Sequence, residues 1–356
     1  MIRRKHTKTI KVGNVSIGGD NPISVQTMTN TYTEDAESTI SQIQEIEKYR
    51  CDIVRVTVNT DEAAESLKTI IKNVKIPVIA DIHFNHILAL KSIKAGIAGL
   101  RINPGNIGDK IKVKEVIKAC KDNEIPIRIG VNSGSIEKGL LDKYNGDFSQ
   151  AMLESALNHI NILEKESFYD IKISLKSTDV LTTVKAYELL SDKIEYPLHV
   201  GITEAGTVFS GAIKSGIGIG ILLYKGIGDT IRVSLSDNPV TEVIAAFHIL
   251  RDLGLRKEGV ELISCPTCGR AEIDIVGFAK EAERKTSSMK SNIKVAIMGC
   301  VVNGPGESMH ADVGIAGGKE KSVLFSKGKI VGKYNNNEVM NALINEIEKI
   351  TGEKII

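Results

Sequence analysis

A repeat of short β-branched runs and polar, helix-like stretches constrains the fold of this chain more than any other feature. The runs are Ile23–Thr29, Ile53–Val58, Pro77–Ile82, Gly99–Asn103, Pro126–Val131, Tyr169–Lys176, Pro197–Thr203 and Thr230–Ser236. Helical patterns lie between them, for example in Glu34–Tyr49, Glu62–Ile71, Lys110–Cys120 and Gln150–Glu164. Alternating strands and helices build a parallel sheet, and eight such units within about 250 residues fit a closed barrel. We therefore predict an α/β fold with a TIM-type (β/α)8 barrel. An open doubly wound sheet is the alternative, but no G-x-G-x-x-G motif follows the first strand.

Polar side chains fall at alternate positions of these strands, so they share one face. The apolar face must pack on the surrounding helices, which leaves the polar face for the barrel interior. Five cations are predicted to converge there: Arg55, Arg101, Arg128, Lys176 and Arg232. Strand positions on this face supply one carboxylate, Asp81, with Glu204 and Asp237 just past strand ends. Internal salt bridges are one explanation of this lumen. Because unpaired cations are costly to bury, we favour a small, multiply negative ligand such as a diphosphate.

Further polar residues lie on the inward face of the strands or at the barrel mouth. They are Gln26, Asn59, His83, Asn132, His199, Thr203 and Ser234. A histidine on a strand is either a hydrogen-bonded structural residue or a ligand or catalyst, and His199 fits both descriptions. His83 stands two residues from Asp81, which favours a role in proton transfer.

Three of the five cysteines fall late in the chain, after the barrel pattern has ended at Val240–Leu250. The charged, glycine-bearing segment Arg251–Gly259 is typical of a linker, so we predict domains at 1–254 and 255–356. Cys265 and Cys268 form a C-x-x-C pair, and Cys300 ends an apolar strand-like run. Zinc with His310 as fourth ligand, a thioredoxin-type redox pair and an iron–sulfur cluster with Glu307 all remain possible from spacing, and a third cysteine favours the cluster.

Composition sets the remaining limits. With 42% hydrophobic residues, the 356-residue chain can fill one large core and one small one. A net charge of +2 is too small to indicate a nucleic-acid or membrane surface. No apolar run reaches the roughly 18 residues of a membrane span, and the basic N-terminus lacks the apolar region of a signal peptide. Together with an odd cysteine count, this predicts a cytoplasmic protein.

The cysteine motifs also carry a resemblance to a known family. Cys265-Pro-Thr-Cys268-Gly-Arg and Met298-Gly-Cys300-Val-Val-Asn-Gly-Pro-Gly-Glu307 resemble the signature of the 4-hydroxy-3-methylbut-2-en-1-yl diphosphate synthases, in their two-domain bacterial form. The similarity continues through the barrel, in Val25-Gln-Thr-Met-Thr-Asn, Val54-Arg-Val-Thr-Val-Asn, Ala80-Asp-Ile-His-Phe, Leu100-Arg-Ile-Asn-Pro-Gly-Asn-Ile-Gly, Ile127-Arg-Ile-Gly-Val-Asn, His199-Val-Gly-Ile-Thr-Glu-Ala-Gly and Ile231-Arg-Val-Ser-Leu-Ser. It covers nearly the whole chain.

The resemblance implies an oxidoreductase of the non-mevalonate isoprenoid pathway. Its [4Fe–4S] cluster would be ligated by Cys265, Cys268, Cys300 and Glu307, in a domain similar to the cluster domain of sulfite and nitrite reductases. The implied substrate is 2-C-methyl-D-erythritol 2,4-cyclodiphosphate, which is opened, reduced by two electrons and dehydrated to (E)-4-hydroxy-3-methylbut-2-enyl diphosphate. Reduced flavodoxin or ferredoxin is the expected electron donor, and a homodimer the expected assembly.

The resemblance also implies roles for the barrel residues. Those expected to bind substrate are Arg55, Asn59, Arg101, Arg128, Asn132, Lys176, His199, Arg232 and Ser234. Glu307 would leave its iron when substrate arrives, and the leaving oxygen would be protonated by Glu204, Asp81 or His83. An iron–sulfur sensor or a sulfite- or nitrite-reductase-like protein is the alternative function.

Overall fold

The computed structural model describes residues 2–104, 106–136, 138–300 and 310–355. The chain divides into two compact units, residues 1–256 and 257–356. Each unit has its own hydrophobic core, built in the first from the outward faces of the strands and the helices around them, and in the second from one sheet and two helices.

The first unit is a parallel barrel closed at one end by a hairpin. The hairpin pairs β1 (Ile10–Val12) with β2 (Val15–Ile17). The barrel strands are β3 (Ser24–Met28), β4 (Ile53–Thr57), β5 (Val78–Asp81), β6 (Gly99–Ile102), β7 (Ile127–Asn132), β8 (Ile171–Lys176), β9 (His199–Val200) and β10 (Thr230–Ile231). They pair in the order β8-β7-β6-β5-β4-β3-β10-β9, and a parallel bridge between Ile173 and Leu198 joins the two ends. The predicted TIM-type barrel is confirmed.

Two of the eight strands are shorter than the sequence indicates, because β9 and β10 leave the regular ladder after two residues. The hairpin was not predicted at all. It covers the N-terminal ends of the strands, where Ile10, Val12 and Ile17 pack against Ile53 and Ile79. The apolar floor explains why the polar interior opens only at the opposite, C-terminal end, where ligands of this fold bind.

Helices follow the strands and begin, in most cases, at a side chain that caps the first turn. They are α1 (Ala36–Lys48), α2 (Asp61–Asn73), α3 (His86–Ala95), α4 (Lys110–Asp122), α5 (Lys138–Lys143), α6 (Phe148–Lys165), α7 (Val180–Ser191), α8 (Val208–Tyr224) and α9 (Pro239–Asp252). Asp35, Thr60, Asn85, Asp109 and Asn238 each accept a backbone N–H of the helix that they precede. Such caps satisfy N–H groups that have no partner inside the helix, and they fix where each helix starts.

The second unit is built on a mixed sheet of five strands. In spatial order these are β11 (Val260–Ser264), β12 (Ile293–Met298), β13 (Val313–Ala316), β14 (Lys321–Ser326) and β15 (Lys329–Asn335). The first three are parallel neighbours, and β14 pairs antiparallel with both β13 and β15. The helices α10 (Ile275–Thr286) and α11 (Val339–Thr351) pack on this sheet.

Among the helices described, none is both long and apolar enough to cross a membrane.

Candidate functional site

Arginine and lysine side chains fill the interior of the barrel. Arg55, Arg101, Arg128 and Lys176 are all buried, with exposed fractions of 7%, 7%, 4% and 6%. Three of the lumen residues lie side by side on neighbouring strands: Asp81 is in register with Arg101, and Arg101 is in register with Arg128. The register brings cations of adjacent strands to the same height in the lumen.

One strand carboxylate, Asp81, lies among these cations. Its Oδ1 accepts from Arg101 Nη1 at 3.0 Å, and its Oδ2 lies 3.5 Å from Arg55 Nε and 3.6 Å from His83 Nε2. Burial alone would raise the pKa of this carboxyl, but Arg55, His83 and Arg101 hold it well below its usual value. Asp81 is therefore an ionised partner of the arginines.

A second lumen carboxylate, Glu242, comes from a helix and was missed by the sequence analysis. It lies in the first turns of α9 and is 4% exposed. Its carboxylate faces Arg232, whose Nε and Nη2 both lie 3.4 Å from it. Strand alternation cannot identify a residue on a helix. The one available signal is a glutamate within the apolar pattern of Val240, Val243 and Phe247.

Lys172 adds a further cation that was left out of the predicted set, although its strand position points inward. It is 2% exposed and stands in register with Arg128 on the next strand. Burial and the positive charge of Arg128 lower the pKa of Lys172 to about 7, although the negative charge of Asp229 acts to raise it. Among the described residues of the lumen, six basic side chains (Arg55, Arg101, Arg128, Lys172, Lys176 and Arg232) thus face the two carboxylates Asp81 and Glu242.

Several buried polar atoms of the lumen have no hydrogen-bond partner within the described chain. They are both amide atoms of Gln26, Arg101 Nε, Arg128 Nε and Nη1, Lys172 Nζ, Ser174 Oγ and both ring nitrogens of His199. Buried polar groups in folded proteins are nearly always paired with protein, water or ligand. Burial and the charges of Arg128 and Lys176 also keep the pKa of His199 well below its usual value, so its ring is neutral. The lumen therefore has the free polar groups and the positive charge needed to bind a polar, anionic ligand.

Two glycines make room for the cations. A Cβ on Gly130 in β7 would lie 2.7 Å from Arg101 Nε. One on Gly201, which directly follows β9, would lie 2.3 Å from the backbone oxygen of Arg232 and 2.9 Å from Lys176 Nζ. A side chain at either position would have to displace these neighbours, so both glycines leave space for a charged side chain of the lumen.

The remaining predicted residues stand at the mouth of the barrel. Asn59 and Glu204 are exposed, Asn132 and Ser234 are half-buried, and the His83 side chain is 49% exposed. Glu204 has a φ of 50°, in the left-handed region that non-glycine residues rarely adopt. Such strained positions are common at functional sites.

The cysteines of the second unit lie at one edge of its sheet. Cys265 directly follows β11, Cys300 lies two residues beyond β12, and these two strands are parallel neighbours. Backbone bonds hold the loops together: the Cys265 N–H donates to Ile297 O at 3.3 Å and the Glu272 N–H to Gly299 O at 2.8 Å. The Gly299 N–H donates to Cys265 Sγ at 3.3 Å.

All three thiols are free, with Cys268 exposed and the other two half-buried. Hydrogen bonds from the backbone and side chain of Arg270 lower the pKa of Cys268. Within the described ranges, no three His, Cys, Asp or Glu side chains converge on the position of one ion. The predicted fourth ligand, Glu307, lies outside the described residues. Soft thiolates on neighbouring strand ends fit an iron–sulfur cluster, whose inorganic core is larger than a single ion.

Both the cation-lined barrel and the separate cysteine-bearing unit match families of known proteins. Residues 7–247 match the family described as GcpE TIM-barrel domain, and residues 261–349 match the GcpE protein C-terminal domain. These matches define a two-domain protein with a TIM-type barrel and a separate C-terminal domain. The chain belongs to the GcpE family, which confirms the resemblance drawn from the cysteine motifs.

Full-length relatives are similar along both units. The chain is 57% identical to the 4-hydroxy-3-methylbut-2-en-1-yl diphosphate synthase (flavodoxin) of Caldanaerobacter subterraneus subsp. tengcongensis, over 99% of each chain. It is 54% identical to the protein of the same name from Clostridium perfringens, over 98% of this chain and all of the relative. Among solved structures, the dihydropteroate synthase of Yersinia pestis aligns with a TM-score of 0.50 at 12% identity, over 71% of this chain and 100% of that one. That likeness concerns the fold alone.

Proposed function

We propose that the chain is an oxidoreductase that opens and reduces 2-C-methyl-D-erythritol 2,4-cyclodiphosphate to (E)-4-hydroxy-3-methylbut-2-enyl diphosphate. The observation that carries this proposal is the excess of buried, incompletely paired cations in the barrel. A cyclic diphosphate would supply the negative charge that these cations lack. The names of the full-length relatives support the same activity.

The diphosphate is proposed to bind among Arg55, Arg101, Arg128, Lys176 and Arg232. Guanidinium groups offer paired N–H donors that match phosphate oxygens, which makes the site selective for this group. Neutral donors and acceptors at Asn59, Asn132, His199 and Ser234 would orient the rest of the molecule. His199 is the innermost of these, with no exposed surface.

Proton transfer to the leaving oxygen needs a group that is protonated before the reaction. Asp81 suits this task least, because Arg55, His83 and Arg101 keep its pKa well below the usual value. Glu204 at the mouth and the half-exposed His83 are the better candidates. We assign Asp81 instead to holding Arg55 and Arg101 in place.

A [4Fe–4S] cluster is proposed at the cysteine edge of the second unit, held by Cys265, Cys268, Cys300 and Glu307. When bound it would supply the two electrons one at a time, received from reduced flavodoxin. The chain's own part is to hold the thiols: the Gly299 N–H donates to Cys265 Sγ, and the backbone of the two loops keeps them adjacent.

A second copy of the chain is the proposed assembly partner. Helix α8 carries an exposed apolar stripe of Phe209, Ile213 and Ile217, which are 80%, 50% and 52% exposed. Gly216 and Gly220 on the same helix leave the surface open around them. Exposed apolar patches of this kind mark protein interfaces. Sedimentation of the full chain tests the homodimer.

The activity is tested by anaerobic reconstitution with iron and sulfide, followed by turnover of the cyclic diphosphate with reduced flavodoxin. We expect about four irons and four sulfides per chain and formation of the linear diphosphate. One zinc per chain without sulfide would contradict the cluster and favour a zinc site with His310.

Replacing Glu307 with cysteine separates a displaceable ligand from a structural residue. Thiolate binds iron more tightly than carboxylate, so we expect full iron and sulfide content and steeply reduced turnover. In Glu307→Ala, iron content should fall and oxygen sensitivity rise. Near-normal turnover of the cysteine variant would show that ligand exchange at Glu307 is not needed. An alanine variant with unchanged iron content and spectrum would show that Glu307 is not a ligand.

A further inference from the structure

We infer that Glu242 is a positioning residue of the anion site, which holds the guanidinium of Arg232 with one edge turned toward the ligand. The inference rests on the proposed function, because it assigns a task within the same diphosphate site. None of the residues expected to bind substrate lies on a helix, whereas Glu242 lies on α9.

Four donor groups of three residues, Thr27, Arg232 and Leu235, converge on the Glu242 carboxylate. Oε2 accepts from Thr27 Oγ1 in β3 at 2.6 Å, and Oε1 accepts from the Leu235 N–H at 2.9 Å. Arg232 contacts both oxygens, through Nε to Oε2 and Nη2 to Oε1, each at 3.4 Å. The carboxylate thus connects β3, the segment after β10 and the arginine in one buried set of hydrogen bonds.

The two edges of the Arg232 guanidinium have different surroundings. The Nε–Nη2 edge faces Glu242, while the acceptor of Nη1 among the described residues is the thioether of Met28, at 3.8 Å. The same sulfur lies 2.8 Å from Arg55 Nη2, so Met28 sits between the two guanidinium groups. The Arg232 side chain is also 17% exposed, more than Arg55 or Arg101 at 9%. Its Nη1 is therefore the donor that remains for a ligand entering from the mouth.

A carboxylate suits this task better than an amide of the same shape. All four groups that contact it are donors, and a carboxylate offers acceptor positions on both oxygens. Glutamine in its place would offer one oxygen and turn an NH2 group toward the Arg232 and Leu235 donors. Either the arginine or the backbone N–H would lose its acceptor, so Glu242→Gln should release Arg232 or shift the segment that carries Ser234.

The test measures binding of inorganic diphosphate to the full-length, cluster-loaded protein by isothermal titration calorimetry. Four proteins form a double-mutant cycle: the native chain, Glu242→Gln, Arg232→Met and the double variant. We expect Glu242→Gln to raise Kd about tenfold or more, since hydrogen bonds to charged groups are involved. If Glu242 acts through Arg232, the glutamine should change Kd little when Arg232 is already absent. Iron content should be the same in all four.

Asp52→Asn is the matched control. Like Glu242, Asp52 accepts from a backbone N–H, that of Val25 at 2.7 Å, and from an arginine, Arg256 Nη1 at 2.7 Å. It lies before β4, at the end of the barrel away from the mouth, so its variant should lose stability without losing diphosphate affinity. If Glu242→Gln is poorly folded, titration in trimethylamine N-oxide, which favours the folded state, keeps the comparison usable.

The outcomes separate this inference from the proposed function. A native protein that does not bind diphosphate would contradict the function itself. A native protein that binds, with Kd unchanged in Glu242→Gln, would overturn the positioning role alone. Equal losses from Glu242→Gln with and without Arg232 would also overturn it, because the glutamate would then act independently of the arginine.

Discussion

Replacing Arg128 with leucine is expected to raise the melting temperature of the protein and, in the same variant, to weaken diphosphate binding by about a hundredfold. Arg128 is 4% exposed, and its Nε and Nη1 have no hydrogen-bond partner within the described residues. Burial and the nearby Arg55 and Arg101 lower its pKa well below the usual value. Replacing even paired buried charges with well-packed apolar side chains is often neutral or stabilises a protein by about 1–4 kcal/mol, and Arg128 is less well paired than such groups. Arg128 thus lowers the stability of the free protein and, by the same unpaired charge, provides affinity for an anion.

Thermal unfolding without ligand and calorimetric titration with diphosphate measure the two effects. Arg232→Leu is the comparison, because Arg232 is paired with Glu242 and its loss would leave a buried carboxylate with fewer donors. We expect that variant to lose both affinity and stability. If Arg128→Leu kept its affinity, the lumen cations would belong to internal salt bridges instead of a ligand site.

Strand periodicity carried the prediction of the lumen because it depends only on the backbone. Side chains two residues apart share a face of any strand, so Arg55, Arg101, Arg128 and Lys176 could be assigned to one interior from their positions alone. Closure followed from the number of units. The hairpin of β1 and β2 has no comparable signal, since two three-residue strands are too short for a pattern to be recognised.

Contacts that depend on how the barrel closes could not be predicted from the sequence. Glu242 approaches Arg232 because α9 begins beside the mouth, and Met28 comes between Arg55 and Arg232 because β3 pairs with both β4 and β10. These contacts depend on how strands and helices close around the lumen. The cysteine edge shows the opposite case, since C-x-x-C and the glycine-rich motif after Cys300 are local features that the sequence displays directly.

Lys172 should make the stability of the protein rise with pH above neutrality. Burial and the charges of Arg128 and Arg55 lower the pKa of Lys172 from 10.5 to about 7, although Asp229 acts in the opposite direction. The ring of His199 in the same cluster is neutral. Asp229 offers little compensation, because it already accepts from Arg4, Thr7 and the Leu198 N–H. Below pH 7 the amine is charged in both states and its burial penalty is fully present. Between about pH 7 and 10.5 the unfolded chain binds the extra proton, so the free energy of unfolding rises with pH.

We therefore expect Lys172→Met to be more stable than the native protein at pH 6.5 by up to about 4–5 kcal/mol. The advantage should shrink by as much as about 1.4 kcal/mol per pH unit as pH rises toward 10. Urea unfolding at several pH values measures the difference, and taking it between the two proteins cancels the titration of groups that they share. The exposed Lys68, changed to methionine, should give a difference near zero at every pH. A Lys172 difference that stayed constant with pH would mean that its amine keeps the same charge in both states, stabilised in the lumen by a bound anion.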